Sequence, residues 1–99
     1  MPSQRAPRER EAVVSEPANP PMGRLDAFDI GSKKLTVQTE FFSRPKWRVE
    51  TKIYLGGALK KIFNEDLDST PEPELQKRVD TFHQQKMEEI VSGLRRLAE

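Results

Sequence analysis

Between Lys34 and Phe63 the chain alternates apolar and polar residues in two runs around a Gly56-Gly57 pair, a pattern that few folds accommodate. Leu35, Val37, Thr39 and Phe41 interleave with Thr36, Gln38, Glu40 and Phe42, which is the period of two and the β-branched content of a half-buried strand. Ser43-Arg44-Pro45 interrupts the pattern. Trp47, Val49, Thr51, Ile53 and Leu55 then alternate with Arg48, Glu50, Lys52 and Tyr54, a second strand clearer than the first. Leu55-Gly56-Gly57-Ala58 matches a two-residue hairpin loop whose central residues need positive φ, and a third strand is expected from Ala58 to about Phe63.

A two-residue turn sets Leu55 opposite Ala58, Tyr54 opposite Leu59, Ile53 opposite Lys60, Thr51 opposite Ile62 and Glu50 opposite Phe63. A G1-bulge loop shifts this register by one and turns Leu59 and Phe63 toward the Ile53 face. The two-residue register is the expectation carried forward.

The flanks are read more coarsely. Residues 1–23 hold five of the eight prolines and no hydrophobic period, so they are expected to form a disordered tail. Leu25, Phe28 and Ile30, closed by Gly31-Ser32, read as a lead-in strand or a packing loop. Asn64 to Ser69 reads as an acidic loop, after which Thr70 can cap a helix, Pro71 suits its first position and Glu72 and Glu74 complement its positive end. Leu75, Val79, Phe82, Ile90, Leu94 and Leu97, with Met87 and Val91 beside them, form a stripe at three-and-four spacing. The expected fold is α+β: a three-stranded antiparallel β-meander packed by one long C-terminal helix, in a single domain over residues 24–98.

Such a helix measures about 36–40 Å at 1.5 Å per residue, against about 27 Å for an eight-residue strand. An overhang bearing Ile90, Val91, Leu94 and Leu97 is therefore expected, available to a partner helix or a second copy. The absence of cysteine excludes disulfides and thiolate sites and points to a cytoplasmic setting. No apolar stretch follows Arg5, Arg8 and Arg10 as in a signal peptide, and none is long enough to span a bilayer, so neither targeting nor membrane insertion is expected.

Little in the chain points to chemistry. His83 is the lone histidine, which leaves a zinc cluster without ligands, and it is expected as an exposed helix residue. Glu65, Asp66 and Asp68 lack the glycine and terminal glutamate of a calcium loop. Gly56-Gly57 with Lys60 and Lys61 lacks the spacing of a phosphate cradle and leads into a strand rather than a helix. No enzymatic role, cofactor or metal is expected.

Charge is segregated: residues 25–64 carry eight Lys/Arg against four acids, whereas residues 65–99 carry five against nine. The basic part brings together Arg44, Trp47, Arg48, Lys52, Tyr54, Lys60 and Lys61, with Lys46 nearby, in a pattern that fits a solvated face, a protein-contact face centred on Trp47, or a nucleic-acid surface. Acidic and basic halves in one chain also fit self-association.

Val37-Gln38-Thr39-Glu40-Phe41-Phe42, Arg44-Pro45, Arg48-Val49-Glu50-Thr51, Gly56-Gly57 and Lys60-Lys61 together resemble small bacterial adaptor proteins of motility and cell-polarity systems run by a Ras-like GTPase. The resemblance covers roughly residues 24–90. It implies a regulatory partner that contacts the GTPase or its response-regulator scaffold and assists nucleotide exchange, and it assigns no residue a role. The leading expectation is a non-catalytic protein-interaction adaptor. Nucleic-acid binding and structural homo-oligomerisation are the alternatives.

Overall fold

A computed structural model of the chain describes residues 16–98, forming an antiparallel sheet with one C-terminal helix. The sheet has four strands rather than three: β1 (Arg24–Ile30), β2 (Lys33–Phe42), β3 (Arg48–Leu55) and β4 (Ala58–Asp66), in the order β1-β2-β3-β4. Leu25 to Ile30 is thus a full strand, because Phe28 and Ile30 pack on the core beside Leu35 and make the segment worth pairing. A short 3-10 turn (Glu72–Glu74) leads into α1 (Leu75–Ala98). Pro71 does precede this turn, but Thr70 makes no cap; its buried hydroxyl accepts a hydrogen bond from Arg78 Nη1 at 3.2 Å.

The Gly56-Gly57 hairpin forms with φ of 61° and 86°, values that a side chain at either position would strain. Leu55 pairs with Ala58 and Tyr54 with Leu59, as a two-residue turn requires. Between Tyr54 and Ile53 a bulge then takes up Lys60, so Ile53 faces Lys61, Thr51 faces Phe63 and Glu50 faces Asn64. This corrects the expected register for the rest of β4. The bulge turns the Phe63 ring toward the core and Ile62 outward, and the larger apolar surface goes inside.

α1 lies across β1, β2 and β3 and has no backbone contact with β4. Beneath it are two apolar clusters. Trp47, Val49, Leu67, Leu75, Val79 and Phe82 form the first, joined by Phe41, whose ring meets Trp47 edge to face at 5.9 Å. Leu35, Val37 and Ile53 form the second, with Phe28, Ile30, Leu55, Met87 and Ile90 around them.

Most of the expected tail, residues 1–15, lies outside the described residues. Glu16 to Gly23, assigned to that tail by composition, instead runs back along the domain. Ser43 Oγ donates to Glu16 Oε2 at 2.7 Å, Pro17 is buried, and the Met22 N–H and carbonyl engage Gln76 at 2.8 and 3.1 Å. Backbone hydrogen bonds to α1 side chains hold this segment where its own side chains supply little apolar surface.

Candidate functional site

Because Leu35, Val37, Val49 and Ile53 point at α1, their neighbours in sequence point the other way, and no described element covers that outer face. Strand register places Leu25, Gln38, Lys52 and Ile62 in one row across the sheet, and Ala27, Thr36, Tyr54 and Leu59 in the next. Leu25, Leu59 and Ile62 are 66%, 48% and 45% exposed, which makes the two flanks of the face apolar and its centre polar. Further along, Phe42, Arg48 and Asp66 share a row. The Arg48 guanidinium stands 4.6 Å above the Phe42 ring centroid.

The expected basic patch is divided by this geometry. Arg48, Lys52 and Tyr54 do share the outer face. Trp47 does not: it is 5% exposed and forms part of the first core cluster, because it continues the inward phase of Val49, Thr51 and Ile53. Lys61 projects on the inner side, its ammonium 5.3 Å from the Phe63 ring, while Lys60 occupies the bulge. Arg44 is exposed on the β2–β3 connection, beside Glu16 at 3.9 Å.

The face is also less basic than its lysines and arginines imply. Glu50 receives Arg48 at 3.4 Å and Lys52 at 4.0 Å. Gln38 donates to Glu40 at 2.9 Å. A shallow groove of about 190 Å³ next to it, lined by Pro45, Lys46, Arg48, Asn64 and Asp66, is likewise internally neutralised. There Asp66 and Asp68 hold the Lys46 ammonium above its ordinary range, and the Asp66 carboxyl is held low first by the Asp68 N–H and then by Lys46.

The expected helix site is corrected as well. Ile90 is half-buried, packed against the second cluster rather than overhanging the sheet. Val91 is exposed, Leu94 is half-buried, and the Leu97 side chain lies outside the described residues.

His83, expected at the surface, is 1% exposed and sits between the two clusters. Its Nδ1 meets Thr39 Oγ1 at 2.7 Å, Thr39 Oγ1 meets Thr51 Oγ1 at 2.7 Å, and its Nε2 meets Asp26 Oδ2 at 2.6 Å. In the tautomer that carries its proton on Nε2, toward the carboxylate, Nδ1 accepts, and the hydrogen bonds then run one way: Thr51 donates to Thr39, and Thr39 to Nδ1. The arrangement has the members of a hydroxyl–imidazole–carboxylate relay, yet both threonines are 0% exposed, which leaves a substrate no path to either oxygen. Its spacing offers one sequence clue: His83 follows Val79 by four residues, on the apolar stripe itself.

Among the described residues no group of His, Asp and Glu side chains is arranged to hold a metal ion, and no helix is long and apolar enough to cross a membrane. Comparison with family models, with curated proteins and with solved structures finds no match for this chain.

Proposed function

We propose that the protein is a non-catalytic interaction adaptor that docks a partner protein on the outer face of its sheet. The observation that carries this reading is the pair of rows from Leu25 to Ile62 and from Ala27 to Leu59. They present exposed apolar groups on both flanks, with Tyr54 and Lys52 between them. Such a mixture of apolar area, one aromatic and one cation fits a protein surface of apolar side chains with a carboxylate for Lys52. The present Lys52–Glu50 approach of 4.0 Å is loose enough for that carboxylate to compete.

The resemblance read in the sequence makes a Ras-like GTPase, or the response-regulator scaffold that recruits it, the partner of choice in this proposal. Titration of each purified candidate with the wild-type chain and with Leu25→Asp and Tyr54→Asp variants tests it. Binding that weakens at least tenfold in both variants, with unchanged thermal melting, supports the face. Equal binding by wild type and variants removes the face, and no binding of either candidate removes the GTPase system.

Nucleic-acid binding is less well supported, because Glu50 engages both central cations and the single tryptophan is not available for stacking. An oligonucleotide titration at low salt keeps that alternative testable: binding that falls steeply with salt restores it.

A further inference from the structure

β4 is an edge strand of nine residues, and among the described residues its only backbone neighbour is β3. An uncovered edge presents unpaired N–H and C=O groups that can accept another strand. The sequence of this edge is symmetric in charge about Phe63: Lys61 lies two residues before it and Glu65 two after, Lys60 three before and Asp66 three after. Antiparallel pairing of two copies about a two-fold axis at Phe63 sets Lys61 opposite Glu65 of the second copy and Glu65 opposite its Lys61. Lys60 then lies toward Asp66 of the second copy.

We propose that β4 pairs with β4 of a second copy of this chain, centred on Phe63, to make a continuous eight-stranded sheet. Parity limits the choice of register, because two edge strands exchange backbone hydrogen bonds only between residues that both point outward, which puts the two-fold axis on a residue. An axis at Ile62 sets Lys60 opposite Asn64, and one at Asn64 sets Ile62 opposite Asp66; neither brings a lysine directly opposite an acid within β4. The Phe63 axis does so once on each side, with Lys61 and Glu65, and brings the bulged Lys60 toward Asp66. It also makes the two Ile62 side chains diagonal neighbours on the outer face, where each is now 45% exposed.

The other edge lacks this property. β1 carries Asp26 and Asp29 with Arg24 at its start; self-pairing about its central Ala27 sets neither acid opposite the arginine, and an axis at Leu25, which does set Asp26 opposite Arg24, pairs only the first three residues of the strand. Lysines on an edge strand ordinarily discourage indiscriminate pairing. Here acids at the mirror positions make the same lysines complementary to their own copy. The offset of α1 toward β1 leaves the inner side of β4 to Lys61, Glu65 and the long side chains of Arg78 and Lys86, so a second sheet can approach without meeting the helix backbone.

One strand pair buries modest area, so the dimer is expected in the micromolar range. Sedimentation equilibrium of the full chain across micromolar concentrations is the test, with Lys61→Glu, Glu65→Lys and the double exchange. Each single variant places like charges opposite each other twice per dimer and is expected to weaken association about tenfold or more. The double exchange restores it, and so does an equimolar mixture of the two single variants, in which every pair is again opposite in charge. Circular dichroism melting of each variant separates lost pairing from lost fold. A wild-type chain that stays monomeric at high micromolar concentration overturns the proposal. So does a mass that grows past the dimer, as head-to-tail pairing of β1 with β4 would give, or a mixture that fails to associate. Titration of the adaptor's partner with these variants keeps the outer-face reading separate, since Leu25 and Tyr54 are unchanged in them.

Discussion

The core has two halves that share one sheet and one helix but are closed to different degrees. In the first half, Trp47, Val49, Leu67, Leu75, Val79 and Phe82 are all 6% exposed or less. In the second, only Leu35, Val37 and Ile53 are buried, and Phe28, Ile30, Leu55, Met87 and Ile90 are left partly open. The cause is where the chain crosses. The β2–β3 connection and the segment from Leu67 to Leu75 both wrap the first end, Leu67 N bonding Trp47 O at 2.9 Å, whereas the second end is closed only by the two tight turns at Gly31 and Gly56. A four-stranded sheet under one helix is thus sealed where connections longer than a tight turn cross its end.

The largest way to break this contrast is truncation in the closed half. Leu75→Ala is expected to cost about 2–5 kcal/mol, read as a drop in the urea midpoint at unchanged slope. Removing a hydrogen-bond partner between the halves comes next. Thr39→Val leaves His83 Nδ1 without its 2.7 Å contact inside the core, a loss of about 1–3 kcal/mol, whereas Thr39→Val with Thr51→Val and His83→Leu recovers most of it. Recovery would mean the polar layer divides the core without strengthening it; no recovery would make it a net stabilising network. In the open half Ile90→Ala is expected to cost about 1–2 kcal/mol, less than Leu75→Ala because its side chain already meets solvent. Equal losses at Leu75 and Ile90 would remove the distinction between the halves. Smallest is Leu59→Lys on the outer face, within about 0.5 kcal/mol by the same denaturation curve.

What the sequence discloses follows from period and what it withholds follows from tertiary packing. The alternation of Val37 to Phe41 and of Val49 to Leu55 announces β2 and β3, and the Gly56-Gly57 pair announces their hairpin partner. β1 is fainter, since Arg24, Asp26 and Asp29 interrupt its apolar residues, and Asp26 takes an inward position in phase with Phe28 and Ile30, where it meets His83. Trp47 stands in phase with Val49, Thr51 and Ile53, so alternation alone places it on the buried face, apart from Arg48, Lys52 and Tyr54. The bulge at Lys60 is hidden: it is chosen by where Phe63 can be buried, which depends on the helix. For the candidate site, Arg48, Lys52 and Tyr54 were readable from alternation alone, while Leu25, Leu59 and Ile62 emerge only once the register is known.

Strands paired strictly in chain order carry a kinetic consequence. Each hairpin closes a short loop, so the entropic cost of assembling the sheet is met in small steps and only the docking of α1 joins distant segments. Stopped-flow chevrons should therefore show Gly56→Val slowing refolding, because its φ of 61° is required at the turn, while Leu75→Ala acts mainly by hastening unfolding. The glycine hairpin then sets how fast this molecule is made, and the sealed half of its core sets how long it lasts.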